Sequence, residues 1–296
     1  MKKYLSLFIV ALTATVLLTG CDKKAEPAPS APAPAVAPAP APAPTPTPEP
    51  SPAPEPAPAP TQAPAAGEPI VIGIDDNFPP MGFRDEKNEI VGFDIDLAKE
   101  AAKRLGVEVT FKPIDWSAKE AELNSKRIDA LWNGLTITEE RKKNILFTSP
   151  YLKNHQIIVV TEKSSIQTKV DLKDKVVGVQ DGSSAIGAVE ADAETAKSLK
   201  ELKKFGDNVT ALMDLSAGRL DALVVDEVVG RYYTAKKPEE YRVLDENFGT
   251  EDYGVGTRKD DTALGEKLQK ALDEMKADGA AAQISTKWFG KDIVVK

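Results

Sequence analysis

The chain has 296 residues, of which 42% are hydrophobic and 28% are charged, and its formal net charge is −8. Such an acidic chain argues against nucleic-acid binding through a basic face. The single cysteine and single histidine exclude an internal disulfide, a zinc finger and a metal cluster of His and Cys ligands, so neither a metal nor another cofactor is expected.

Residues 1–20 predict a secretory signal peptide. Two lysines precede an apolar run from Leu5 to Leu18, which is short for a membrane span of about 20 residues. The tetrapeptide Leu18-Thr19-Gly20-Cys21 resembles the lipobox of bacterial lipoproteins, in which the cysteine is lipidated and becomes the mature N-terminus. Lipidation of Cys21 is therefore predicted to anchor the protein in the cell membrane, facing the periplasm or the extracellular side. An N-terminal transmembrane anchor is the alternative.

Residues 21–67 predict a disordered tether. Of the 23 prolines, 17 lie between Pro27 and Pro64, mostly in Ala-Pro repeats. Proline lacks an amide donor and disfavours helix in the residue before it. The segment is expected to sample polyproline II and to reach at most roughly 120 Å, at about 3.1 Å per residue. A ligand for a proline-reading domain is the alternative to this spacer.

From Ile70 onward the pattern alternates between strands and helices. The predicted strands are Ile70–Ile74, Val107–Phe111, Ile128–Trp132, Gln156–Thr161, Val176–Gln180 and Asp221–Val225. The predicted helices are Leu97–Leu105, Thr138–Asn144, one that follows Ser184 and runs through Val189, Val209–Ala217, Val228–Ala235, Leu264–Met275 and a last one that runs to Trp288. Repeated strand–helix units predict an α/β fold whose ligands bind at the carboxyl ends of the strands, and two such runs suggest two lobes.

Six segments in this part carry a family resemblance. They are Gly92–Leu105, Asn133–Arg141, Gly178–Ser184, Gly218–Asp226, Tyr253–Val255 and Lys287–Gly290. Together they resemble solute-binding protein family 3, the periplasmic or lipid-anchored amino-acid receptors of ABC importers. The resemblance implies a two-lobed periplasmic-binding-protein fold of type II, each lobe a mixed, mostly parallel sheet flanked by helices. It implies that lobe 1 comprises residues 68–150 and 254–296, that lobe 2 comprises 156–248, and that hinges lie at 151–155 and 249–253.

A free amino acid is a zwitterion, so its receptor needs a cation for the carboxylate and an anion for the ammonium. Arg141 suits the carboxylate, because a guanidinium binds it through two charge-assisted hydrogen bonds. Ser183 and Ser184 lie in a polar turn before a helix, where free amides and the helix dipole favour an anion. Asp226 ends an apolar strand and suits the ammonium. These roles match those that the family gives to the corresponding positions.

Two further residues complete this part of the predicted site. Thr136 would add a hydroxyl and backbone groups, and Gly134 would let the ligand approach the chain closely. Taken by themselves, the residues leave other interpretations open. Arg141 is compatible with a surface helix charge, Asp226 with a helix cap, and the two serines with a plain turn.

The resemblance places four residues around the ligand side chain: Asp75, Phe78, Phe83 and Trp116. Asn133 and Gln180 would add polar contacts. Asp75 would pair with a cationic side chain or accept from an amide. Phe78 and Trp116 would sandwich a planar guanidinium or amide, although ordinary core packing is the alternative for the aromatic residues. The set favours arginine, lysine, histidine or glutamine and leaves cystine open. An aliphatic ligand is disfavoured because it would leave Asp75 buried and unpaired.

The sequence therefore predicts a monomeric binding protein without catalytic residues. It would capture a free polar or basic L-amino acid by lobe closure and deliver it to the permease of an ABC transporter. Two other functions stay open. One is an enzyme similar to cyclohexadienyl or arogenate dehydratases, in which Asp75, Asp226 or Glu122 would act as acid or base. The other is a surface adhesin or sensor lipoprotein.

Overall fold

The computed structural model describes residues 67–296. The predicted signal peptide, the predicted lipidation site Cys21 and the predicted tether up to residue 66 lie outside the described residues. Between residues 67 and 296, no helix combines the length and the apolar character that a membrane crossing requires.

The strands of the described part are β1 (Gly67–Ile74), β2 (Asn77–Phe78), β3 (Gly82–Arg84), β4 (Ile90–Val91), β5 (Val107–Pro113), β6 (Ala130–Leu131), β7 (Ile145–Phe147), β8 (Leu152–Thr161), β9 (Val176–Gln180), β10 (Glu201–Phe205), β11 (Ala222–Asp226), β12 (Tyr241–Tyr253) and β13 (Gly256–Arg258). The helices are α1 (Phe93–Leu105), α2 (Lys119–Asn124), α3 (Ser184–Ala191), α4 (Ala193–Ser198), α5 (Asn208–Ser216), α6 (Glu227–Lys236), α7 (Thr262–Ala277) and α8 (Ala280–Phe289). Short 3₁₀ turns lie at Trp116–Ala118, Arg141–Lys143 and Lys169–Leu172.

Two five-stranded sheets with the same arrangement form the two lobes. In the first sheet, ordered β5-β1-β6-β13-β7, β1 is parallel to β5 and β6, and β13 is antiparallel to β6 and β7. In the second, ordered β10-β9-β11-β8-β12, β9 is parallel to β10 and β11, and β8 is antiparallel to β11 and β12. The fold is therefore α/β with mixed sheets, in which parallel and antiparallel pairings are equally frequent. Strands β2, β3 and β4 form a small third sheet.

Helix α1 illustrates how the sequence pattern builds the core. Its buried residues include Phe93, Leu97 and Ala101, which recur every four residues, the spacing that places side chains on one helix face. The helix ends at Gly106, whose left-handed backbone lets its amide close the last turn on the carbonyls of preceding residues. The periodicity and the glycine both predicted this helix, although it begins four residues earlier than its first predicted apolar position.

The main differences from the predicted elements concern short or polar segments. The predicted helix Thr138–Asn144 is a single 3₁₀ turn, and the predicted strand Ile128–Trp132 pairs only at Ala130–Leu131. Strand β12 was not predicted because many of its residues are polar and because, as an edge strand, it pairs on one side only. Its side chains therefore lack the apolar alternation that marks a half-buried strand.

The chain passes between the sheets next to the start of β8 and the end of β12. These strands pair in register as far as Leu152 and Tyr253. Beyond them, the Gly254 amide donates to the Leu135 carbonyl, and β13 then joins the first sheet. The lobe boundaries and the hinges at 151–155 and 249–253 stay predictions.

Candidate functional site

The predicted site residues follow the carboxyl ends of parallel strands in both sheets. Asp75 follows β1, and Asn133 lies two residues after β6. In the second sheet, Gln180 ends β9 and Asp226 ends β11. Because parallel strands point the same way, their ends deliver these side chains to one edge of each sheet.

The two edges meet through direct contacts between the lobes. Gln180 Nε2 donates a hydrogen bond to Asp75 Oδ2 at 2.6 Å. The hydroxyl oxygens of Thr136 and Ser184 lie 3.0 Å apart. Residues that the sequence analysis assigned to one site, from segments far apart in the chain, are therefore neighbours in the structure.

Arg141 is buried, with 7% of its surface exposed, so it is not a surface helix charge. Its Nη1 donates to the Thr136 carbonyl at 2.9 Å, and its Nη2 donates to the Gly182 carbonyl at 3.0 Å. Burial lowers the pKa of the guanidinium, and the charge of Glu251 opposes that shift. Since an arginine side chain does not lose its proton in proteins, the site contains a desolvated cation.

Lys119 is a second buried cation, and it was not predicted from the sequence. Its Nζ donates to the Gly182 carbonyl at 2.7 Å and lies 5.4 Å from the centre of the Trp116 ring. Burial, together with the positive charge of Arg141, lowers the pKa of this ammonium group to about 8. The Gly182 carbonyl of one lobe thus accepts hydrogen bonds from two cations of the other.

Asp226 is buried, and its Oδ1 accepts three side-chain hydrogen bonds. The donors are Asn154 Nδ2 at 2.8 Å, Gln156 Nε2 at 3.0 Å and the Tyr253 hydroxyl at 2.5 Å. Burial and the neighbouring Glu251 carboxylate raise the pKa of Asp226 well above its ordinary value. Helix α6 begins after Asp226, but the side chain makes no capping hydrogen bond. Capping therefore does not account for this carboxylate.

Glu251 on β12 brings a further carboxylate that the sequence analysis did not assign. Its Oε1 accepts from Thr136 Oγ1 at 2.9 Å, from Asn154 Nδ2 at 2.7 Å and from Gln156 Nε2 at 2.9 Å. Asn154 and Gln156 were missed as well, although polar residues at alternate positions predict one polar strand face. Glu251 gave no such signal because it lies in a run of polar residues.

The two predicted serines have different surroundings. Ser183 Oγ donates back to the Gln180 carbonyl at 2.7 Å, which closes its own turn. Ser184 begins helix α3, and its Oγ contacts Thr136 of the other lobe and accepts from Gln156 Nε2 at 3.2 Å. Of the pair, Ser184 has the side chain that faces the junction.

Asp75 lies at the other end of the site and is 6% exposed. It accepts from the Asn77 amide at 2.9 Å and from Gln180 Nε2. Burial raises the pKa of Asp75 to about 6, and these two hydrogen bonds limit the shift. Asn208 Nδ2 in turn donates to Gln180 Oε1 at 3.2 Å, which fixes the orientation of that amide.

Phe78 and Trp116 are both buried, with 5% and 6% of their surfaces exposed. The Phe78 ring packs against Gly134, whose backbone has a φ of 59°. A Cβ atom at Gly134 would lie 2.7 Å from Phe78 Cε1, so this close approach requires glycine.

Two other predicted pocket residues differ from expectation. The Phe83 ring lies 5.9 Å from the rings of Tyr232 and Trp288, so it belongs to a separate aromatic cluster. Asn133 is buried, and neither of its side-chain polar atoms has a hydrogen-bond partner within the described residues.

Asp94 accepts a hydrogen bond from the loop that follows β6. It is fully buried, and its Oδ2 accepts from the Gly134 amide at 2.7 Å and from the Tyr151 hydroxyl at 2.9 Å. Burial raises the pKa of Asp94 to about 7. Asp94 lies in the first turn of α1, and it also holds the backbone of a predicted site residue, Gly134.

A cavity of about 780 Å³ opens beside these groups. Its lining includes Thr136, Arg141, Gly182, Ser184 and Glu251. Among the described residues, no cluster of His, Cys, Asp and Glu side chains could hold a metal ion. The arrangement can bind a ligand that carries separated positive and negative charges, because the cations of Arg141 and Lys119 and the carboxylate of Glu251 line this cavity and the Asp226 carboxylate neighbours Glu251.

A family model for bacterial extracellular solute-binding proteins, family 3, matches residues 70–291. The chain belongs to this family. The match spans both sheets and every residue of the candidate site.

Characterised family 3 proteins are similar to this chain over most of their length. An L-cystine-binding protein of Escherichia coli is 33% identical over 226 residues, which cover 76% of this chain and 84% of that protein. A histidine-binding periplasmic protein of Escherichia coli is 36% identical over 232 residues, which cover 76% of this chain and 88% of the other.

A solved structure of the same family shares the fold. An ABC uptake transporter substrate-binding protein from Streptococcus pneumoniae with bound histidine is 39% identical, with a TM-score of 0.74 over 77% of this chain and 95% of that chain. The two-lobed α/β fold is therefore common to this chain and to family 3 proteins that bind amino acids.

Proposed function

We propose that this protein captures a free L-amino acid between its two lobes and delivers it to the permease of an ABC transporter. The observation that carries the proposal is that a buried cation, Arg141, and a buried carboxylate, Asp226, lie at the junction of the lobes, close enough for their charges to interact. Arg141 would hold the ligand carboxylate, and Asp226 would hold its ammonium. A free amino acid presents both charges on one carbon and so matches both groups.

The ligand is proposed to carry a cationic or polar side chain, with arginine favoured. Asp75 would accept from that side chain, while Phe78 and Trp116 would flank it. The charges of the site support this choice. When ionised, the three carboxylates of Asp75, Asp226 and Glu251 outnumber the two cations, so an amino acid with a net charge of +1 would balance the formal charges of the site. A positive ligand would also favour the ionised forms of Asp75 and Asp226, whose pKa values are raised in its absence. The histidine-binding and cystine-binding relatives keep other polar ligands within the proposal.

The remaining features of the proposal concern location and assembly. Cys21 would carry the lipid that anchors the protein to the membrane, with the binding part facing the periplasm or the extracellular side. The protein would act as a monomer. Lobe 1 would comprise residues 68–150 and 254–296 and lobe 2 residues 156–248, and the lobes would close around the ligand through the hinges at 151–155 and 249–253.

Thermal unfolding with each of the twenty amino acids, cystine and ornithine tests the proposal. A ligand at about 100 times its dissociation constant stabilises the folded protein by about 2.7 kcal/mol, so a bound amino acid should raise the melting temperature. Mass spectrometry of the recovered ligand should find it unchanged, as expected for a binding protein. No shift with any of these compounds would contradict the proposal, and conversion of the ligand would favour an enzyme.

The assignment of Arg141 is tested by calorimetry on Arg141→Ala. Removing the guanidinium would leave a desolvated ligand carboxylate unpaired, which costs about 2 kcal/mol or more of binding free energy. Arg219→Ala is the matched control, because the Arg219 side chain is 59% exposed and pairs with Asp214 on the surface. Near-wild-type affinity in the Arg141 variant would refute this assignment.

A further inference from the structure

Asp226 and Glu251 belong to one patch of four polar side chains on the second sheet. In the strand register, Glu251 of β12 stands opposite Asn154 of β8, and Asp226 of β11 stands opposite Gln156. Asn154 and Gln156 are two residues apart on the central strand, so their side chains lie on the same face. The sheet therefore presents two carboxylates with two amides between them.

The amides bridge the two carboxylates. Asn154 Nδ2 lies 2.8 Å from Asp226 Oδ1 and 2.7 Å from Glu251 Oε1. Gln156 Nε2 lies 3.0 Å and 2.9 Å from the same two atoms. The amide oxygens of Asn154 and Gln156 are buried and have no hydrogen-bond partner in the described part of the chain. The carboxylates therefore fix the orientation of both amides.

The patch reaches the binding groups of the other lobe. Glu251 Oε1 also accepts from Thr136 Oγ1 at 2.9 Å, and the carbonyl of Thr136 accepts from Arg141. Glu251 lines the same cavity as Arg141 and Ser184. A ligand whose carboxylate lies on Arg141 and whose ammonium lies on Asp226 would bring that ammonium beside Glu251.

Within the described residues, no side-chain donor contacts Oδ2 of Asp226 or Oε2 of Glu251. The donors described above contact Oδ1 of Asp226 and Oε1 of Glu251. Two adjacent carboxylates repel each other, and a cation placed between them relieves the repulsion. The raised pKa of Asp226, caused by burial and by Glu251, agrees with an acidic pair that lacks a sufficient counter-charge.

We infer that Glu251 is a ligand-binding residue that shares the α-ammonium of the amino acid with Asp226. This inference rests on the proposed function. It adds to the ammonium subsite a carboxylate from the predicted hinge at 249–253, so ligand binding would also hold the end of β12 against the first lobe.

Calorimetry with two probes tests the inference on the full chain. The probes are L-arginine and 5-guanidinopentanoate, which is arginine without its α-amino group. In Glu251→Gln, L-arginine should bind about tenfold more weakly or worse, whereas the affinity for 5-guanidinopentanoate should stay within about threefold of wild type. Asp245→Asn is the matched control. Its carboxylate lies on the same strand, β12, but is exposed and is not among the residues that line the cavity, so this variant should leave both affinities unchanged.

Two outcomes of this experiment would overturn the inference. Equal loss for both probes would assign Glu251 a structural role, and L-arginine affinity within about twofold of wild type would remove it from the site. The melting temperature of unliganded Glu251→Gln separates an effect on folding from an effect on binding. Because the substitution removes one of two carboxylates that repel each other, this melting temperature should equal or exceed that of wild type. A wild-type protein that binds no amino acid would refute the proposed function itself, and the thermal screen alone would reveal that.

Discussion

At the scale of single residues, the site combines charges that have little access to water. Asp75 is 6% exposed, and its partners in the structure are neutral, the Asn77 amide and the Gln180 side chain. A buried carboxylate with neutral partners is disfavoured in its charged form, which is why burial raises the pKa of Asp75 to about 6. A cationic ligand side chain would supply the missing counter-charge.

Asp75→Asn is therefore expected to change ligand preference. The affinity for L-arginine should fall by about tenfold or more, because the charge-assisted contact is lost, while the affinity for L-glutamine should change much less. Asp76→Asn serves as the control, since Asp76 pairs with Arg84 at 2.5 Å near the surface. Calorimetry with both amino acids measures the change. An unchanged ratio of the two affinities would exclude Asp75 from the side-chain pocket.

At the scale of elements, the loop after β6 depends on α1. Gly134 adopts a left-handed backbone against the Phe78 ring, and Asp94 of α1 holds its amide from below. The second hydrogen bond to Asp94 comes from Tyr151 at the predicted hinge. One buried carboxyl group thus connects the first helix, the loop that contains Thr136 and the region where the chain crosses between lobes.

The raised pKa of Asp94 predicts a pH dependence of stability. Its ordinary value is 3.8, and burial raises it to about 7. Between these values the folded protein retains a proton that the unfolded chain releases, so the contribution of Asp94 to the unfolding free energy is largest in acid and declines as the pH rises towards 7. Asp94→Asn removes this titration and keeps an acceptor for both hydrogen bonds.

Urea unfolding of both proteins measures the effect. The unfolding free energy of Asp94→Asn minus that of wild type should increase by about 2 kcal/mol between about pH 5 and pH 8. A difference that stays constant, or that falls with rising pH, would show that the carboxyl group does not titrate in this range.

Candidate site residues whose type is required by the charges of the ligand could be predicted from the sequence. Residues that reach the site only through the pairing of strands could not. Arg141 and Asp226 followed from the two charges of a zwitterion, and the structure brings them to one junction. Glu251 and Asn154 did not follow, because their approach depends on the register of β8 with β12, which adjacent residues do not encode. Apolar runs such as Val176–Gln180 were found at their observed bounds, whereas the polar edge strand β12 was not.

At the scale of the whole molecule, the lobes contact each other at Gly182. Its backbone has a φ of 70°, and a Cβ atom there would lie 2.7 Å from the Ser117 Cα of the other lobe. Lys119 and Arg141 both donate to its carbonyl. A ligand that contacts both lobes binds their closed arrangement more tightly than an open one, and that difference in affinity drives closure.

A crystal structure of the protein with L-arginine tests the central claim most directly. The account predicts that the ligand carboxylate accepts hydrogen bonds from the Arg141 guanidinium and that the ligand ammonium donates to Asp226, with both lobes in contact with the amino acid. L-arginine bound elsewhere, or bound with either of these side chains turned away from it, would contradict the account.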